Sequence, residues 1–227
     1  MTYDTEAVQK RLNLLGFGPL VEDGRWGPRT SAALIAFKRS VGLRPRDYLG
    51  PITWAALMES AAETADGSIA WMAEAQRMLG LHESRDTSKL KKWFDKSVSW
   101  IDPREIPWCG AFVATVMRKW APEITLPENP LGARNWRTFG TGCTPQLGAV
   151  LAFWRGSKSG QYGHVGFYWG EDATAYHVLG GNQSDAVTIT RVAKDRLLAA
   201  RWPTGEPQPN KIIRLTSSGK PLSTNEA

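Results

Sequence analysis

Residues 107–120, Pro-Trp-Cys-Gly-Ala-Phe-Val-Ala-Thr-Val-Met-Arg-Lys-Trp, decide the fold class together with the sequence around them. Pro107 stands at the head of an apolar run from Cys109 to Trp120, long enough for a buried helix and stopped by Pro122. Upstream, Met72, Ala75 and Leu79 mark a helix ending at Gly80, and Leu90, Trp93 and Phe94 mark another. After residue 145 the pattern changes. Gly148–Trp154, His164–Trp169, Ala175–Leu179, Ala186–Thr190 and Leu197–Trp202 are short β-rich runs separated by Gly, Asp or Ser. Helices followed by closely spaced strands predict an α+β domain with helices packed on an antiparallel sheet.

The first sixty residues read as a separate helical unit. Val8, Leu12 and Leu15 recur on one face of a helix that stops at Gly16. A second helix fits 30–41, with Thr30 near its cap and Ala33, Leu34, Phe37 and Val41 inward. A third fits 53–58, with Thr53 as N-cap. The turn Asp23-Gly24-Arg25-Trp26-Gly27-Pro28-Arg29-Thr30 has a weaker echo in Asp47-Tyr48-Leu49-Gly50-Pro51-Ile52-Thr53, as a duplicated turn–helix unit would. The expected division is 1–60 for this unit, 61–69 for a small, polar linker, 70–204 for the α+β domain and 205–227 for a loose tail.

Composition excludes several classes. Of 227 residues, 42% are hydrophobic and 22% charged, as in ordinary globular chains, so a disordered or collagen-like protein is excluded. The net charge of +6 favours anionic partners but is spread along the chain, which argues against nucleic acid. No apolar run approaches the length of a membrane span, so no membrane insertion is expected. Two cysteines and three histidines cannot make a disulfide framework, and with no CxxC pair neither a metal site nor a cofactor is expected. Eleven tryptophans are the outlier, a number suited to stacking on sugar rings or flat apolar surfaces.

Two segments carry candidate chemistry. Cys109 opens a predicted helix, where unsatisfied N–H groups and the helix dipole favour thiolate. His164 sits in Gly163-His164-Val165-Gly166-Phe167, at the start of a predicted strand whose glycines leave room for a partner. A thiol–imidazole pair is the minimum for covalent acyl transfer. Cys143 lies in a loop before a strand, lacks that field and is given no catalytic role. Arg134, in Gly132-Ala133-Arg134-Asn135-Trp136, suits either a contact with a carboxylated peptide beside Cys109 or a solvated helix start.

Residues 70–202 resemble the papain-like bacterial cell-wall hydrolases, nearest to the CHAP group of cysteine, histidine-dependent amidohydrolases/peptidases. The shared motifs are Trp108-Cys109-x-x-Phe112-Val113, then Pro145-x-x-Gly148-x-Val150-x-x-Phe153. Next come Gly163-His164-Val165-Gly166-Phe167-Tyr168 and Val178-Leu179-Gly180-Gly181-Asn182-Gln183. The resemblance implies that Cys109 is the nucleophile and His164 the general base, with backbone N–H groups at the start of the Cys109 helix as the oxyanion hole. It also implies an Asn orienting the imidazole, which matches Asn182; His177 competes, because a sister group uses a second His on that strand. The Glu usually found two residues before the Asn is here Gly180.

The first sixty residues resemble the three-helix peptidoglycan-binding domain of many wall hydrolases. The match runs through Val8-Gln9-x-x-Leu12, Gly16, Asp23-Gly24-x-Trp26-Gly27-x-x-Thr30, Ala33, Phe37 and Thr53-Trp54-x-x-Leu57, with Lys38 where the family usually has Gln. Asp23 and Trp26 are the expected wall contacts. Together the resemblances imply a monomeric peptidoglycan hydrolase, an amidase or endopeptidase of phage-endolysin type. The opening residues lack a basic region and an apolar core, so the expected location is the host cytoplasm before release to the wall. A catalytically silent wall-binding or virion protein and a cysteine acyltransferase are the alternatives.

Overall fold

The computed structural model describes residues 3–14, 17–18, 20–41, 43–62, 69–215 and 222–223. They fall into two compact units, one within 3–62 and one within 69–215 together with 222–223.

The N-terminal unit consists of α1 (Thr5–Leu14), α2 (Pro28–Ser40) and α3 (Pro51–Ala62). Val8 and Leu12 of α1, Ala33, Leu34 and Phe37 of α2, and Leu57 of α3 form its core, and Phe17 closes it edge-on against Phe37 at 5.7 Å. Leu15 and Gly16 lie outside the described residues. Both later helices start two residues earlier than the threonines suggest. Pro28 and Pro51 take the opening helical position, where a missing N–H costs nothing and φ is already helical. Thr30 and Thr53 are therefore buried in the first turn rather than capping it. The Gly-Pro-x-Thr echo is thus a repeated helix start. The third helix also runs on to Ala62, through residues expected to begin the linker; residues 63–68 lie outside the description.

The second unit is α+β. Its helices are α4 (Ala70–Arg77), α5 (Thr87–Trp93) and α6 (Cys109–Trp120). The strands are β1 (Thr141–Gly142), β2 (Val150–Trp154), β3 (Gly163–Glu171), β4 (Ala175–Gly180), β5 (Thr188–Ala193) and β6 (Leu197–Trp202). They form one antiparallel sheet in the order β1-β6-β2-β3-β4-β5. From β2 to β5 the chain meanders; β6 then returns to the other side of β2. Helix α6 is buried over nine consecutive residues and meets the sheet through Phe112 and Phe167, 6.2 Å apart. From Cys109 to Met117 the helix carries no charge and has no solvent face to keep, which is why this part is buried, while Arg118 and Lys119 bring its last turn to the surface.

Two expectations are corrected here. Most tryptophans serve the core: Trp71, Trp93, Trp108, Trp136, Trp169 and Trp202 are buried, and Trp71 packs between Trp120 and Trp202 while donating to the Gly148 carbonyl at 2.9 Å. The segment after Pro203 is not loose as far as Leu215. Leu147 N–H donates to Lys211 O, Glu171 N–H to Ile213 O and Leu215 N–H to Glu171 O, and the Ile213 side chain is buried. Those backbone bonds, with Arg214 paired to Glu171, hold a polar segment that sequence composition alone would leave free.

Candidate functional site

Cys109 is the first residue of α6, preceded by Trp108, which has left the helical conformation and is wholly buried. The Trp108 indole donates to Glu83 Oε2 at 2.9 Å, fixing the helix start against the 80–83 segment. Backbone amides of Val165, Gly110 and Cys109 itself point at the sulfur, and the Arg155 charge acts in the same sense. Burial is nevertheless the largest influence, and it pushes the Cys109 thiol up. The helix start alone therefore does not give the resting thiolate expected from sequence, because the thiol of a residue only 3% exposed loses more hydration than those dipoles return. A proton acceptor is needed.

His164 is the residue before Val165, so β3 carries the imidazole beside the residue whose amide meets the sulfur. Its Nε2 lies 3.0 Å from Gln183 Oε1. The other end of that carboxamide is committed: Gln183 Nε2 donates to the carbonyls of Val178 and Gly180 at 3.2 Å, to Thr188 O at 2.5 Å and to Thr188 Oγ1 at 3.2 Å. With its N–H groups used this way, the oxygen must face the ring, so His164 carries its proton on Nε2 and the lone pair on Nδ1. An imidazole of fixed tautomer can take the proton of a thiol brought within its reach and so free the sulfur to attack a carbonyl carbon.

This geometry corrects the third position. The hydrogen bond expected from Asn182 comes from the next residue, Gln183. Asn182 occupies a left-handed position (φ 56°) in the turn after β4, so the alternation of the strand does not carry through it. His177 is engaged elsewhere, its Nε2 lying 2.9 Å from Asp172 Oδ2, which also accepts from Arg191 Nε at 2.8 Å. Burial alone would raise the Asp172 carboxyl, but Arg191, Thr174 and His177 together hold it well below the usual carboxylate range. The sequence did contain a signal for Gln183, since it closes the Gly180-Gly181-Asn182-Gln183 motif.

The paired glycines have a steric reason. A Cβ on Gly181 would lie 2.5 Å from Trp108 Cζ3, and one on Gly180 would lie 3.3 Å from His164 Nε2 and 3.2 Å from Gln183 Oε1. The Glu usual at position 180 in the resembled group is thus replaced by a residue that leaves the ring–amide contact open. Arg134 reads as structural: it donates to the carbonyls of Tyr162, Lys158 and Ser157 at 2.8–3.0 Å and so staples the β2–β3 loop. Among the described residues no His/Cys/Asp/Glu group could hold a metal ion, and no helix is long and apolar enough to cross a membrane.

In the N-terminal unit Asp23 faces its own turn. Its Oδ1 accepts from Gln9 Nε2 and Arg25 N–H at 3.0 Å, and these bonds hold its carboxyl below the usual range. Gln9 completes the clasp by accepting from Gly24 N–H at 2.9 Å. Asp23 therefore positions the turn that presents Trp26, and both expected wall contacts are exposed, Trp26 at 39%.

Residues 2–57, the N-terminal unit, match the family model described as a putative peptidoglycan binding domain, a match that supports peptidoglycan as a partner. No curated protein and no solved structure matches the chain.

Proposed function

We propose that this protein is a cysteine-dependent peptidoglycan hydrolase, in which the N-terminal unit holds the polymer and Cys109, His164 and Gln183 cleave an amide within it. The supporting observation is the 3.0 Å contact between His164 Nε2 and the donor-saturated Gln183, on a strand whose next amide meets the Cys109 sulfur. In the proposed reaction His164 Nδ1 takes the thiol proton as Sγ attacks the carbonyl carbon. N–H groups at the start of α6 stabilise the oxyanion. The C–N bond then breaks, and the imidazolium proton passes to the leaving amine. Water, deprotonated by the same imidazole, attacks the thioester and releases the carboxylic acid and the thiol. Gln183 holds the ring throughout and touches no substrate, so it is a positioning residue.

Binding by the small unit raises the local concentration of wall amides, so weak individual contacts suffice. We assign the protein to the amidase or endopeptidase class and to the endolysin type, acting on the wall after reaching it from the cytoplasm. A second reading, a silent wall-binding protein on the same fold, draws on the deep burial of the thiol. Cys109→Ser separates the two. The proposal expects the wild-type protein to clear permeabilised cells, and the variant to bind sacculi equally while losing clearance by about a thousandfold or more. Equal binding with no clearance by either protein supports the silent reading.

A further inference from the structure

The N-terminal unit contains a groove of about 260 Å³ lined by Tyr3, Thr5, Trp26, Asp47, Tyr48 and Leu49. Its aromatic walls are held from behind. The Trp26 indole donates to Ser31 Oγ at 2.9 Å and Asp47 Oδ1 at 3.3 Å, while Ser31 Oγ donates to Asp47 Oδ2 at 2.7 Å. Tyr3 stacks on Trp54 at 4.9 Å. Tyr48 is 68% exposed. Lys38, where the resembled family usually has Gln, donates to the Arg46 and Tyr48 carbonyls and so fixes the segment that carries Asp47 and Tyr48. This spends the ammonium behind the groove, and Asp47 is the one charged side chain among the lining residues.

We infer that this groove is the wall-contact site of the domain and that it takes a neutral N-acetylated pyranose of the glycan strand rather than the stem peptide. The inference rests on peptidoglycan being the partner of this domain, and adds the residues and the part of the polymer. A sugar ring offers C–H faces to Trp26 and Tyr48 and hydroxyl donors to Asp47, whose oxygens have acceptor capacity beyond the Trp26 and Ser31 bonds. The free carboxylates of a stem peptide would meet Asp47 with no cation in the lining to offset the repulsion. The volume suits one ring rather than a folded peptide.

The test uses the full-length Cys109→Ala protein, so that binding is read without chemistry, titrated with a β-1,4-linked N-acetylglucosamine tetramer and, separately, with a sugar-free stem pentapeptide. Indole N–H resonances and affinity are followed. The tetramer should shift the Trp26 resonance, with affinity falling about tenfold in Trp26→Ala and in Tyr48→Ala. Asp47→Asn should lose about threefold, since one acceptor oxygen stays in place and its hydrogen bond is weakened rather than removed. Tyr48→Ala carries the test should Trp26→Ala unfold, since the Tyr48 ring is the more exposed. Preferential binding of the pentapeptide, tetramer binding equal in all variants, or binding of neither ligand overturns the inference. Failure of the hydrolase reading shows separately, as wild-type protein that leaves sacculi intact.

Discussion

Two buried glutamines, one in each unit, show how the same carboxamide is put to different uses. Gln9 and Gln183 are 2% and 0% exposed, and both spend their N–H groups on oxygens of a nearby turn. They differ in what the oxygen meets. Gln9 Oε1 accepts from the Gly24 backbone, so its whole effect is to fasten the 22–27 turn to α1. Gln183 Oε1 meets the imidazole of His164, so the same anchoring sets a tautomer. A saturated amide is a rigid pointer, and its role follows from the group at which its oxygen is aimed.

The contrast makes its largest prediction at Gln183. Gln183→Ala should lower kcat about a hundredfold with little change in KM, because the ring loses its orienting acceptor. Its pH–rate profile should shift as well, which loss of packing alone would not produce. Asn182→Ala and His177→Ala should each keep kcat within about threefold. A larger loss in either of those would move the orienting role away from Gln183. Gln9→Ala should do the opposite: cleavage of soluble fragments stays unchanged, while the N-terminal unit loses about 1–3 kcal/mol in a denaturant titration and sacculus binding weakens.

Gly181→Ala sharpens the comparison from the steric side. The added methyl runs into the Trp108 ring, so we expect a cost of about 1–3 kcal/mol and slower turnover together. The Asp172 cluster gives a pH test. Its carboxyl is depressed in the folded state, so its contribution is present above the unfolded carboxylate value near 4 and is lost as pH falls below it. The urea midpoint of the second unit should fall between about pH 4 and pH 2, and Asp172→Asn should flatten that slope while lowering the midpoint at pH 7. Cys143→Ser has the smallest expected effect, near-wild-type clearance, because that half-buried thiol lies at the β1 edge of the sheet beside Gln146.

Much of this arrangement was legible in the sequence where one physical rule dominates. The mainly apolar run from 109 to 120 is long enough to read as a buried helix, and the short, closely spaced β-rich runs after 148 read as an antiparallel sheet. Helix starts were displaced where two rules compete: Thr30 and Thr53 are good caps, but Pro28 and Pro51 are better first residues. The sequence offers Arg134 as a peptide contact or a solvated helix start and Asp23 as a wall contact, and cannot show that each also satisfies backbone or amide groups of a loop. The third position escaped because Asn182 and Gln183 are adjacent amides after a glycine pair. Only the left-handed turn at Asn182 decides which of them faces the ring.

The central claim is that the sulfur of Cys109 opens wall amides. Mass spectrometry of fragments released from purified peptidoglycan tests it most directly. The account predicts one new amine for each new carboxyl, with intact glycan, from the wild-type protein and none from Cys109→Ala. Wild-type protein that coats the polymer and releases nothing, or release that persists in Cys109→Ala, would contradict it.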